Sequence, residues 1–235
     1  MSGLLHRAAR ALRKGLQPSA REFLRARAHF HAPLPEGPIA SQPYVVFDLE
    51  ATGLKPSQGD ALLAIGAVKL RGLEPVARFE TLVDPGRPIP PEGVAYHGIT
   101  EERVRGAPRA PEAIAAFLDF AGGDVLVSHN AAFDRTLLFM EEHRGAPAVP
   151  NPILCSLLTS RWLDPQEADH SLDGLCGRAG IVIARRHAAL GDAEATAALW
   201  VQLLARAAAR GVEDLHELVR RSRMTAQTAE TAEHF

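Results

Sequence analysis

Apolar residues along this chain change their period at two points. In the first segment Leu5, Ala9, Leu12 and Leu16 recur at helical spacing, with Arg7, Arg10, Arg13 and Lys14 on the rest of the cylinder. Ser19-Ala20-Arg21-Glu22 has the spacing of a capping box and predicts a second helix carrying Phe23, Ala26 and Phe30. Pro33, Pro35, Pro38 and Pro43 then come close together with Gly37 and Ser41. Repeated proline fixes φ and removes N–H donors, so residues 34–43 read as a linker. Residues 1–33 read as a helical arm ahead of it.

From Tyr44 the period shortens. Tyr44-Val45-Val46-Phe47 is a short buried-strand pattern, and Ala61 to Arg71 and Val76 to Val83 follow closely enough to pair as an antiparallel meander. Asp84 to Gly93 carries four prolines and reads as a loop. Pro111 to Phe120 has a helical period, and Val125-Leu126-Val127 is a further strand. The next helix has Phe133, Leu137 and Met140 on one face, and Ile153-Leu154 is a short strand. Helical patterns then cover Leu157 to Leu163, Ser171 to Ala179, Ala193 to Ala209 and Val212 to Arg221. A meander followed by strand–helix alternation predicts one α/β domain with a mixed sheet over residues 44–210, and a C-terminal helix and tail over 211–235.

Composition narrows the class. Of 235 residues, 46% are hydrophobic and 23% charged, which excludes a disordered chain, a collagen and a disulfide scaffold. The longest clean apolar run, Ala61 to Val68, falls far short of the ~20 residues that span a bilayer. Leu4 and Leu5 meet His6 and Arg7 at once, so no secretory core is expected. Cys155 and Cys176 form no CxxC pair, which suits a reduced cytoplasm and supplies no zinc framework. Net charge is −2, but residues 1–33 hold seven basic side chains against one glutamate, leaving −8 on the remainder. A basic arm precedes an acidic body. The arm could tether phosphate backbones, pack as a dimer contact or serve as a transit peptide.

Three segments carry candidate chemistry. In Phe47-Asp48-Leu49-Glu50-Ala51-Thr52-Gly53-Leu54, the i, i+2 spacing sends Asp48 and Glu50 to one face of a strand end. Two carboxylates that close repel unless cations or protons separate them, although a strand running into a polar turn reads the same way. In Ser128-His129-Asn130-Ala131-Ala132-Phe133-Asp134, Asn130 is placed as an N-cap and puts Asp134 in the first helical turn. That turn lies at the carboxyl edge of a strand, where ligands gather in open α/β sheets. An ordinary capped helix with a solvent-facing Asp fits as well. In the third segment Asp192 opens a long helix and His187 precedes it by five residues, as a site component or as a surface residue.

Taken together, the three segments resemble the motifs of the DEDDh branch of the DnaQ-like 3′→5′ exonucleases. The likeness covers about residues 44–210. It rests on Asp-x-Glu-x-Thr-Gly, His-Asn-Ala-x-Phe-Asp, and His with four residues before Asp. Tyr96-His97-Gly98-Ile99-Thr100 and the helix from His170-Ser171-Leu172 to Leu175 match the family as well. The resemblance implies a ribonuclease-H-like fold, with a five-stranded sheet of three antiparallel strands plus parallel ones. It also implies two divalent ions, Mg²⁺ or Mn²⁺, on Asp48, Glu50, Asp134 and Asp192, with His187 as general base. Ala51, Thr52, Leu54, His97, His129 and Asn130 would line the terminal-nucleotide pocket, Leu54 as a wedge against the base.

Two departures stand out: the family often has Thr where this chain has Ala51, and its Asp-Thr is Cys155-Ser156 here. The activity implied is release of nucleoside 5′-monophosphates from single-stranded or frayed 3′ ends of DNA. An RNA 3′-trimming enzyme is the alternative within the same chemistry, and a non-catalytic end-binding module the alternative outside it. All four carboxylates are present, which favours the enzyme. No polymerase-binding extension or clamp-binding pentapeptide is apparent after Val219, so a stand-alone or loosely associated nuclease is expected, with DNA polymerase association as a further option. Scattered His143, His170 and His216 lack zinc spacing, and Trp162 and Trp200 read as core or boundary residues.

Overall fold

The computed structural model describes residues 32–232, with side chains described through residue 223. The helices expected within the arm therefore lie outside the described residues. Strand β1 (Tyr44–Ala51) is central, pairing antiparallel with β2 (Leu62–Arg71), which pairs antiparallel with β3 (Glu74–Leu82). On its other side β1 runs parallel to β4 (Val125–Ser128), which pairs in parallel with β5 (Ile153–Cys155). The order β3-β2-β1-β4-β5 is the mixed five-stranded sheet expected from the sequence. β3 starts at Glu74 rather than Val76, and Pro75 is tolerated because β3 lies at the sheet's edge.

Helices fall on both faces. α1 (Pro91–His97) and α2 (Glu101–Val104) follow the meander; α3 (Ala110–Ala121) precedes β4, and α4 (Ala131–His143) joins β4 to β5. α5 (Ser156–Leu163), α6 (Leu172–Ala179), α7 (Ala189–Ala208) and α8 (Leu215–Ala232) complete the chain. The alternation along β1 divides the core. Val45, Phe47, Leu49 and Ala51 pack towards α3 and α4 with Ile114, Phe117 and Leu137. Tyr44 and Val46 face α6 and α7, where Trp200 meets Tyr44 edge to face at 5.8 Å.

Three further boundaries differ from the sequence reading. The proline-rich loop gives way to helix at Pro91, because a proline at the first helical position loses no bond that a helix start would have made. α2 is a single turn capped by Thr100, whose hydroxyl accepts from the Arg103 N–H, too short to show a period. α7 begins at Ala189, one turn before the apolar stripe that marked it. Asn130 holds the N-cap position of α4 in the left-handed region, φ 59°, and its side chain caps no N–H. Within the proline-rich stretch, Ile39 is buried in the α7 core and donates its N–H to the Glu213 carbonyl. Among the described residues no helix is long and apolar enough to cross a membrane.

Candidate active site

The site begins with the face of β1 that holds Tyr44 and Val46. Two and four residues on, the same face presents Asp48 and Glu50 at the strand's carboxyl end. What brings a third carboxylate there is a glycine. Gly66 is the β2 partner of Asp48, and a Cβ at Gly66 would collide with the backbone of Ala189 and Leu190. The first turn of α7 can thus lie directly on the sheet. Gly191 does the same on the other side, where a Cβ would strike the Arg185 carbonyl. Asp192, one residue on, is buried, and oxygens of Asp48, Glu50 and Asp192 lie within 4.8 Å of one another.

Asp134 stands beside this trio in the first turn of α4, 2% exposed and outside the same 4.8 Å circle. Burial, then repulsion from Asp134, Glu50 and Asp192, holds the Asp48 carboxyl well above the usual range. Burial and the Asp192 charge push Glu50 up to about 8, and burial pushes Asp134 up to about 7. Asp192 is raised by burial, with Arg186 opposing. This is the electrostatic signature of a site built for cations. Carboxylate oxygens are hard donors, and Asp192 Oδ1 is buried without a partner among the described residues, so the set fits Mg²⁺ or Mn²⁺.

The other Asp192 oxygen is engaged. Oδ2 accepts from Arg186 Nη1 at 2.5 Å and from the His187 backbone N–H at 3.1 Å. The second bond accompanies an unusual conformation: His187 has φ 60°, left-handed for a non-glycine residue. Its ring lies against Tyr96, centroids 3.8 Å apart. The carboxylate that joins the cluster thus also holds the His187 backbone.

The residues expected around the terminal nucleotide divide by what their polar atoms do. His97 is buried, its Nδ1 accepts the Ile99 N–H at 3.0 Å, and its Nε2 lacks a partner among the described residues. Its second nitrogen is therefore left as a donor. Burial, then the Arg103 charge, lowers its pKa. Leu54 is 83% exposed. Thr52 instead donates its hydroxyl to Asp60 Oδ1 at 3.2 Å and accepts the Ala61 N–H, so it closes its own loop. That loop is braced from α4. Buried Glu141 accepts the Leu62 N–H and an Arg144 bond, and Arg144 donates to the Asp60 carbonyl. Ala51 is buried, and Asn130 is exposed at the head of α4. His129 departs from the expectation. Its Nδ1 meets Ser156 Oγ at 2.9 Å and its Nε2 the His170 carbonyl at 3.1 Å, so its polar atoms join β4, α5 and the loop before α6.

The model of the RNase_T exonuclease family matches residues 45–200, spanning all these positions. The chain belongs to this exonuclease family. The chain is 44% identical over 183 residues to a DNA polymerase III subunit epsilon-like protein of Rhodobacter capsulatus, covering 76% of this chain and 26% of that relative. It is 34% identical over 182 residues to the PolC-type DNA polymerase III of Bacillus subtilis, covering 77% of this chain and 13% of that one. The chain thus spans about a quarter or less of the length of these relatives. Among solved structures, exonuclease X in complex with 5′-overhanging duplex DNA superposes with TM-score 0.59 at 28% identity, over 69% of this chain and 91% of that one. The nuclease domain of 3′hExo, a DEDDh family member bound to rAMP, gives TM-score 0.61 at 17% identity over 70% and 92%, a likeness of fold. The fold is ribonuclease-H-like.

Several residues of the candidate site escaped the sequence reading. Arg186 and its second partner Asp173, 2.9 Å away, are visible in sequence only as a basic pair before a histidine and an acid at a helix start. Tyr96 gave no sign that it would stack on His187. Gly66 was visible only as an interruption in an apolar strand.

Proposed function

We propose that this exonuclease hydrolyses nucleotides from the 3′ ends of DNA, releasing nucleoside 5′-monophosphates. The observation that carries the reading is the convergence of Asp48, Glu50 and Asp192 oxygens within 4.8 Å at the carboxyl end of β1, beside His187. Asp48, Glu50, Asp134 and Asp192 would hold two divalent ions, Mg²⁺ or Mn²⁺. Bound there, such ions supply positive charge that stabilises the attacking and leaving oxygens of a phosphodiester. His187 is the general base: its imidazole accepts the proton of the attacking water, which histidine can do near neutral pH. Its stack on Tyr96 restricts the ring's rotamers, and the His187 N–H bond to Asp192 ties base and carboxylate into one unit.

The His97 Nε2–H would donate to a nucleotide oxygen, and exposed Leu54 would wedge the terminal base. The relatives' names support DNA as substrate. They also carry two further proposals: a cytoplasmic setting, and association with a DNA polymerase, which co-elution with a polymerase subunit tests.

The deciding experiment incubates 5′-labelled DNA and RNA oligonucleotides with Mg²⁺, Mn²⁺ or EDTA. A ladder shortening from the 3′ end, lost in EDTA and in Asp48→Ala, is expected. Undiminished hydrolysis in excess EDTA would overturn the metal-dependent reading. A ladder on RNA but not on DNA would move the substrate to RNA.

A further inference from the structure

Arg186 lies at the edge of the carboxylate cluster in a bridging position. Its Nη1 is 2.5 Å from Asp192 Oδ2, while its Nε lies 2.9 and 3.0 Å from the two oxygens of Asp173 on α6. The side chain is 30% exposed and that of Asp173 61%, so one end of the bridge is in solvent and the other inside the site. The Arg186 charge opposes burial and carboxylate repulsion at Asp48 and Glu50, and burial at Asp192.

We propose that Arg186 is a built-in counter-cation of this cluster, which neutralises Asp192 in the metal-free protein and opposes the entry of divalent metal. The inference rests on the assignment of Asp48, Glu50 and Asp192 as metal ligands. A divalent ion among these oxygens and a guanidinium on the same carboxylate are like charges at close range, a repulsion of large size in a partly buried site. Asp173 gives the guanidinium somewhere to go. Its two contacts to Nε are independent of Asp192, so Arg186 can release Oδ2 and remain paired on α6. In the metal-free site the guanidinium then stays on Asp192, and metal occupancy rises only at higher free metal concentration.

Removing the charge should therefore tighten metal binding, the reverse of what loss of a merely orienting residue would do. The test is Mn²⁺ titration calorimetry on the full chain, beside thermal unfolding with and without Mn²⁺, for wild type, Arg186→Gln, Arg186→Lys and Asp48→Asn. Arg186→Gln should bind Mn²⁺ about tenfold or more tightly than wild type. Its metal-free form should melt at a lower temperature, and Mn²⁺ should restore the difference. Arg186→Lys keeps the charge and should resemble wild type in both measurements. Equal or weaker Mn²⁺ binding by Arg186→Gln overturns the proposal and makes Arg186 a residue that orients Asp192. Asp48→Asn separates the two layers. If it titrates like wild type, or wild type binds no Mn²⁺, the ligand assignment fails and the counter-cation with it.

Discussion

His129 shows how a residue in a site motif can serve the scaffold. Its Nε2 faces the His170 carbonyl and its Nδ1 faces Ser156, while burial keeps the ring neutral and pushes its pKa down to about 4 against the His170 bond, which favours the charged form. The unfolded chain takes up a proton near the ordinary value of about 6.5. A depressed folded value means that the stability from neutral His129 is complete above pH 6.5 and is lost as pH falls towards 4. The full span corresponds to about 3 kcal/mol. The melting-temperature difference between wild type and His129→Gln, measured with Mn²⁺ present, should therefore shrink from pH 7 to pH 4.5. A constant difference would mean that the ring is not held neutral. His187 is expected to behave differently, since its side chain is assigned to chemistry. His187→Ala should lower kcat by about 10²–10⁴-fold while Mn²⁺ affinity persists, whereas Asp192→Asn should lose metal binding itself. Single-turnover kinetics beside calorimetry separates the two.

Among the elements, the approach of α7 to β2 decides whether the carboxylates meet. The close contact exists because Gly66 offers no side chain to Ala189 and Leu190. Gly66→Ala should push the helix start away from the sheet, costing about 1–3 kcal/mol as an overpacked contact. Because the displaced turn carries Asp192, Mn²⁺ affinity should fall while far-UV circular dichroism is retained. Gly177→Ala provides the control. It lies within α6 with nothing within 4 Å of a new Cβ, so it should leave metal binding unchanged and add slight helix stability. Wild-type Mn²⁺ affinity in Gly66→Ala would mean that α7 tolerates the shift. Such contacts also explain why only part of the site was legible beforehand. Asp48 and Glu50 declare themselves through a spacing of two in a strand. That Gly66 sits opposite Asp48 depends on strand register, which no local pattern states.

At the scale of the molecule, β1 lies at the centre of the sheet with the carboxylates at its carboxyl end, flanked by the loop from Thr52 to Ala61 and the head of α4. A terminal nucleotide entering this space must leave its stack, which in a duplex costs a few kcal/mol. Single-stranded or frayed 3′ ends should therefore be cut faster than paired ends under single-turnover conditions. Leu54→Ala should widen that gap, because the exposed apolar side chain proposed as the wedge would no longer help to separate the last pair. Equal rates on paired and unpaired ends would argue against this pocket.

Through the resemblance of three motifs the sequence marked the acidic residues, and by itself it determined the meander and the strand–helix alternation after it. These are local consequences of side-chain period: residues two apart share a strand face, and apolar stripes mark buried helix faces. The tertiary structure decided how the acids are used. Asp192 has one oxygen bound to Arg186 and the His187 N–H and the other left without a partner, whereas His129 spends both nitrogens on the scaffold. Both are motif residues, and nothing in their spacing separates them. The difference comes from partners distant in sequence, the Ser156 hydroxyl and the His170 carbonyl for one and the backbone approach at Gly66 for the other. Contacts of that kind form only once the sheet register and helix docking are in place.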